Sequence, residues 1–293
     1  MVDRSLGRTA FKIANTLFFL LYAAICLVPV IQVLAISLSS SSAVVSGKVF
    51  LWPVSSTLRS YTYILARGPF WTAMQVSAVR VVLGVAFSML MTVLAAYPLS
   101  LSKTQFRARG VIVWLFLFAM LFSGGMIPTY MVVRYTGLIN SIWALVIPCA
   151  VQIFNIILMM NFFRNIPTDI SESAEIDGAG HFRILLQIYI PLSLPSLATM
   201  VVFTMVYHWN SWFDGLLYMN QSVKYPMQTY LQAILVQPNV RILTKASAEL
   251  LRLISDRTLK AAQVFIAAIP VLLAYPFLQK YFVSGIMLGS VKE

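Results

Sequence analysis

Four of the nine acidic residues in this 293-residue chain, Asp169, Glu172, Glu175 and Asp177, fall inside the short stretch "TDISESAEIDGAG". Carboxylates gathered so closely could hold a cation or pair with a basic partner. A metal site usually recruits His or Cys as well. The chain has only two of each, His181 and His208, Cys26 and Cys149, and none has a zinc-ligand spacing. Charge-assisted pairing with a basic surface is therefore the chemistry this cluster offers. A solvated acidic turn with no partner is the plainer alternative. Small residues surround the acids: Ser171, Ser173, Ala174, Gly178, Ala179 and Gly180. Ala174, Gly178 and Ala179 would let another backbone approach closely. Asp169 and Glu172 have the spacing of a capping box, which predicts a short helix from about Ile170 to about Gly178. A second segment, His181 to Ile190, leads to Pro191.

The elements that position this loop are apolar. Hydrophobic residues make up 60% of the chain and charged residues 10%, against ~25% charged in a soluble domain. This is the composition of an all-α integral membrane protein. Five charge-poor runs have or exceed the ~20 residues needed to span as helix, and a sixth is borderline. The expected spans are 13–36, 71–101, 110–133, 138–163, 191–213 and 261–279. Basic clusters at Arg4, Arg8 and Lys12, and at Lys103, Arg107 and Arg109, favour a cytoplasmic position. Both termini (1–12 and 280–293), the 103–109 turn and the 164–190 loop are then cytoplasmic. Segments 37–70, 134–137 and 214–260 face outward. The net charge of +12 is spread over several connections and forms no continuous run, which argues against nucleic acid as a partner. Both cysteines lie in apolar runs and are expected to be buried thiols.

The words of the acidic loop are specific. "ESAEIDGAGHFRILLQIYIPLSLP" resembles the E-A-A-x-x-D-G-A signature, followed by a hydrophobic segment ending in I-x-L-P, of ABC importer permeases. Glu172, Ala174, Asp177, Gly178, Ala179, Ile188 and Pro191 match, while Ser173, Leu185 and Ile190 depart mildly. "GGMIPTYMVVRYTGLINSIWALVIP", "HWNSWFDGLLYM" with "KYPMQTYLQAIL", and the ending "QKYFVSGIMLGSVKE" are similar to the maltose-type carbohydrate branch of that family, second-subunit kind. Complex-polysaccharide and polyuronate (alginate-type) importers are the nearest suspected kin.

The resemblance implies a six-span type I permease in a bacterial cytoplasmic membrane. It implies four partners: a second homologous permease, two ATP-binding subunits and an extracytoplasmic solute-binding protein. It implies that Glu172, Ala174, Glu175, Asp177, Gly178 and Ala179 form a coupling helix docked on an ATPase, and that the tail around Gly285, Gly289 and Lys292 makes a second contact there. ATP and Mg would be bound by those partners and no cofactor by this chain. The sequence agrees independently on one point: it has no G-x-x-x-x-G-K-[ST] phosphate loop. On this basis Gly178→Asp should abolish transport and spare insertion.

Residues for a solute path are read from polarity within spans. Arg80 lies inside the second run, where a charge must snorkel, pair or face a watery path. Outward segments hold ten basic residues, Arg80 excluded, against Asp214, Glu249 and Asp256. Such a mouth would concentrate an anionic solute, so an acidic oligosaccharide is expected, with Arg80 behind the mouth. Gln152 and Asn155 are expected to face the bundle interior. Trp209, Asn210 and Trp212 could stack on and hydrogen-bond sugars, although interfacial aromatic belts are common. Asp214 reads as a solvated cap and His208 as a packed polar contact. An ion-coupled secondary transporter is the runner-up, and a membrane enzyme the third reading.

Overall fold

In the computed structural model, the described residues are 6–66, 68–236, 255, 257–270 and 272–273. Helices are the only regular elements among them, in the order α1 (Leu6–Ser37), α2 (Ser41–Val45), α3 (Arg59–Leu65), α4 (Gly68–Ser100), α5 (Arg109–Leu121), α6 (Met126–Tyr135), α7 (Trp143–Val146), α8 (Ile153–Arg164), α9 (Thr168–Ile176), α10 (His181–Ile184), α11 (Ile190–Leu192), α12 (Leu194–Asn210), α13 (Phe213–Tyr218) and α14 (Met227–Val236). Residues 257–270 are also helical. The chain divides into two compact units. One is Met1–Gly68 with Ile234–Ile269, the other Pro69–Ala233 with Pro270–Glu293.

The first unit is dominated by α1, whose apolar residues stay outside. Phe18, Leu20 and Leu21 are each about 60% exposed. A helix that is apolar all round suits a lipid surround rather than water. Cys26 is exposed on it, which corrects the expectation of a buried thiol: α1 buries little against its own chain. The serine run after α1 forms a turn and not a loose linker. Ser39 Oγ donates to the Ala35 carbonyl (2.6 Å) and accepts from the Val54 N–H (3.0 Å). Ser37 and Tyr61 share a hydroxyl hydrogen bond of 2.6 Å.

The second unit is organised around α4. Its inward stripe, Ala73, Ser77, Arg80, Gly84, Ser88, Thr92 and Ala96, is buried. Repeating at three or four positions, these residues lie on one helical face. Small side chains there admit close neighbours: a Cβ on Gly84 would stand 2.5 Å from the His208 ring. One hydrophobic core joins the far end of α4 (Ala96, Tyr97, Leu99) to Ile156, Met159 and Phe163 of α8, to Ile184, Leu185 and Tyr189, and to Met200 of α12.

By length and composition α1 and α4 could each cross a membrane, and the described residues supply up to five spans if three bent helix pairs each count as one. The bends are 114° between α5 and α6, 49° between α7 with its short continuation and α8, and 82° between the helix His181–Leu192 and α12. The runs 110–133, 138–163 and 191–213 are therefore not single straight helices. Glycine and proline explain two of the breaks. Gly125, with φ +86°, precedes α6, a backbone state open mainly to Gly. Pro195, in the first turn of α12, lacks the N–H that would carry an α-helical ladder back across Ser193.

Candidate functional site

The acidic loop folds into a short helix with two unlike sides. α9 starts at Thr168 behind Pro167, two residues earlier than expected, and no side-chain cap bond forms. The capping box is thus corrected: Asp169 lies inside the first turn, where its carbonyl accepts from Ser173 Oγ (2.5 Å). The carboxylate remains in the dipole-favoured first turn. At the other end the Ala179 N–H donates to the Ala174 carbonyl (2.9 Å) and the Gly178 N–H to the Glu175 carbonyl (3.0 Å). These are the two bonds of a Schellman cap, with Gly178 at C′ in the left-handed region, φ +81°. That conformation is what glycine supplies here.

Ala174 and Ala179, the residue pair that such a cap brings together, both pack against the hydrophobic core of the second unit. Their small size therefore serves a close approach within the chain. Glu172, Glu175, Asp177 and Gly178 are exposed. Beside them stand two bare apolar side chains, Ile176 at 87% and Phe182 at 73% exposure. Neither was singled out from sequence. The signal was there, as large apolar residues within an acidic loop, but periodicity alone does not say which side a short helix buries.

The loop is fastened to the membrane helices. Tyr97 OH and His181 Nδ1 are 3.1 Å apart, the Tyr97 ring meets Tyr189 edge-on, and Arg164 Nη2 donates to the Leu99 carbonyl (3.2 Å). The loop and the ends of α4 and α8 are thus joined by packed contacts.

Several of the polar residues read from the spans gather at the other end of α12. A groove of about 600 Å³ is lined by Cys149, Gln152, Asn155, Phe203 and Tyr207, among others. A second, about 500 Å³, shares Cys149 and Tyr207 and continues to Asn210, Trp212 and Asp214. Asn155 Nδ2 donates to Gln152 Oε1 (2.6 Å) and Thr204 Oγ1 (3.2 Å). Tyr207 OH donates to Cys149 Sγ (3.3 Å). Carboxamides flanked by aromatic faces can hydrogen-bond hydroxyls and stack on sugar rings.

Arg80 and Trp209 line neither groove. Trp209 is 8% exposed and Arg80 fully buried. The Arg80 guanidinium pairs in a two-pronged fashion with the Asp214 carboxylate, and its Nη1 also donates to the Ser211 carbonyl (3.1 Å). Asp214 is therefore the partner of a buried cation and not a merely solvated cap. The two residues are 134 positions apart, so spacing could not reveal the pair. His208 packs its ring on Gly84, and neither ring nitrogen has a hydrogen-bond partner among the described residues. Gly285, Gly289 and Lys292 lie outside the described residues.

Residues 68–288 match the family described as "Binding-protein-dependent transport system inner membrane component". The chain belongs to this family. It is thus a membrane permease subunit of an ABC-type importer, and not an enzyme. The permease is 41% identical over 280 residues to the polygalacturonan/rhamnogalacturonan transport system permease protein YtcP of Bacillus subtilis (strain 168), covering 94% of this chain and 96% of that one. It is 37% identical to Protein LplC of the same organism, covering 100% and 98%. Among solved structures it matches a chain from a bacterial ABC transporter involved in import of the acidic polysaccharide alginate. That match has a TM-score of 0.87 and 34% identity, and covers 96% of this chain and 100% of that one.

Proposed function

We propose that this permease forms half of the translocation path for an acidic oligosaccharide, a uronate-containing chain handed over by a solute-binding protein. The two grooves that meet at Cys149 and Tyr207, one with Gln152 and Asn155 and the other with Asn210 and Trp212, carry this reading, because their carboxamides and aromatic faces suit a sugar chain. The acidic character is supported by relatives whose names specify polygalacturonan and alginate. The basic excess of segments 37–70, 134–137 and 214–260 supports it too.

A second permease would complete the path. Of two ATP-binding subunits carrying ATP and Mg, one would grip α9 and the start of α10 through Ile176 and Phe182, with Glu172, Glu175 and Asp177 around them. The tail at Gly285, Gly289 and Lys292 would add a second contact. Both termini would lie in the cytoplasm. Closure of the ATPases would then bias the membrane helices between two openings by contacting them differently in each. An ion-coupled carrier is disfavoured, because Asp214, the acid nearest the spans, is already committed to Arg80.

The test is reconstitution of the full importer in vesicles, with ATP hydrolysis and uptake measured for binding protein loaded with oligogalacturonide or with its neutral methyl ester. Stimulation by the acidic form is expected. Stimulation by the neutral form alone would overturn the acidic reading, and uptake that survives ATP depletion would overturn ATP coupling.

A further inference from the structure

Arg80 is the largest fully buried side chain of the described residues. Its surroundings are built in layers. Both Nη atoms engage the Asp214 carboxylate, and Nη1 also holds the Ser211 carbonyl. Asp214 Oδ1 accepts the Gly215 N–H (2.9 Å). Thr229 Oγ1 donates to the Trp212 carbonyl (2.7 Å), and Gly215 is so close to Thr229 that a Cβ there would stand 2.1 Å from its Oγ1. One turn back along α4, Ser77 Oγ accepts the Met227 N–H (2.7 Å). The segment from Ser211 to Gly215 is thus held from α4 on one side and from α14 on the other. Trp212 and Asp214 of that segment line the groove together with Asn210 just before it, while Arg80 stands behind it.

This arrangement has an electrostatic consequence. Asp214 is 18% exposed at the side chain, and Arg80 is not exposed at all. A solute in the groove therefore meets the carboxylate first. Left alone, that carboxylate would repel an anion. Paired, it presents a neutral hydrogen-bonding edge. The sequence alone suggested that Arg80 attracts the solute; burial behind Asp214 does not allow direct contact in this conformation.

We infer that Arg80 is a positioning and specificity-determining residue: through Asp214 and Ser211 it fixes the groove wall that carries Trp212, and it cancels a negative charge that would otherwise exclude acidic sugars. This rests on the groove being the solute path. It makes the neutrality of the pair, and not the charge of Arg80 itself, what admits an acidic solute.

The experiment uses the assembled importer in vesicles, with uptake measured for an oligogalacturonide and its methyl ester across the wild type, Arg80→Gln, Arg80→Lys, Asp214→Asn and the Arg80→Gln/Asp214→Asn double variant. Arg80→Gln should lower the acidic-to-neutral uptake ratio by tenfold or more, since it uncovers Asp214. The double variant should return that ratio to within threefold of wild type, and Arg80→Lys should keep most of it. Asp214→Asn should leave the ratio unchanged or raise it. Assembly of each variant is checked by co-purification of the ATPase subunits. If Arg80→Gln does not assemble, the double variant and Arg80→Lys carry the test through the same ratio. An unchanged ratio in Arg80→Gln, or a double variant whose ratio stays low, overturns the inference. Failure of the wild type to take up the acidic sugar would instead sink the acidic-substrate reading. The positioning half would then be judged by whether the double variant recovers uptake of the neutral sugar that Arg80→Gln loses.

Discussion

Replacing Gly178 isolates a backbone effect at the surface proposed to dock an ATPase. Gly178 has φ +81°, and a Cβ added there meets nothing within 4 Å. Steric overlap therefore contributes nothing, and the cost of a side chain is torsional. An L residue in the left-handed region loses ~1–2 kcal/mol, Asn less, and a β-branched residue more. The Schellman cap shifts accordingly against an unwound C-terminus of α9. At ~1.4 kcal/mol per decade, Gly178→Ala should reduce the capped population by about tenfold relative to any uncapped form. Gly178→Asn should do less, and Gly178→Val more. The assay is sugar uptake per ATP hydrolysed in vesicles holding the full importer, with permease insertion checked by protease protection. Coupling should fall in the order Gly, Asn, Ala, Val while insertion stays constant. Gly178→Asp should resemble Asn in strain and add a carboxylate to an already acidic face, so a fall well beyond that of Asn would report charge at the docking surface. Equal coupling across Gly, Asn, Ala and Val would refute the claim that the cap transmits force.

Other substitutions probe the supports separately. Ile176→Ser and Phe182→Ser expose no core, so ATPase co-purification should weaken while the Tm of the permease in detergent stays within a few degrees. Gly84→Ala drives a Cβ into the His208 ring and should cost ~1–3 kcal/mol by overpacking, seen as a lowered Tm; adding His208→Ala should recover part of it. Tyr97→Phe removes the hydroxyl that meets His181, a loss of ~1 kcal/mol, and should raise hydrogen exchange in 181–192 while leaving α1 unaffected. Asn155→Leu breaks two groove hydrogen bonds and should raise the KM for sugar uptake more than it lowers the maximal rate.

The sequence by itself determined the class of the molecule. Long charge-poor runs require helix, because backbone groups in lipid must be satisfied within the segment, and the described residues are helical throughout their regular elements. The acid-and-glycine words of residues 172–179 were equally legible, since a family signature is carried by residue types in order. The turn chemistry of Gly178 was half visible: glycine after a short helix suggests a C-cap, but the cap is known only once Ala179 reaches back to Ala174. Tertiary structure alone decided the rest. Which side of α9 is buried depends on the core formed by α4, α8 and α12, and so does the finding that Ala174 and Ala179 face inward while Ile176 and Phe182 do not. Whether Arg80 serves a solute or a neighbour depends on a carboxylate 134 positions away. Periodicity describes one helix at a time, whereas the partner of a buried charge is set by how separate helices meet.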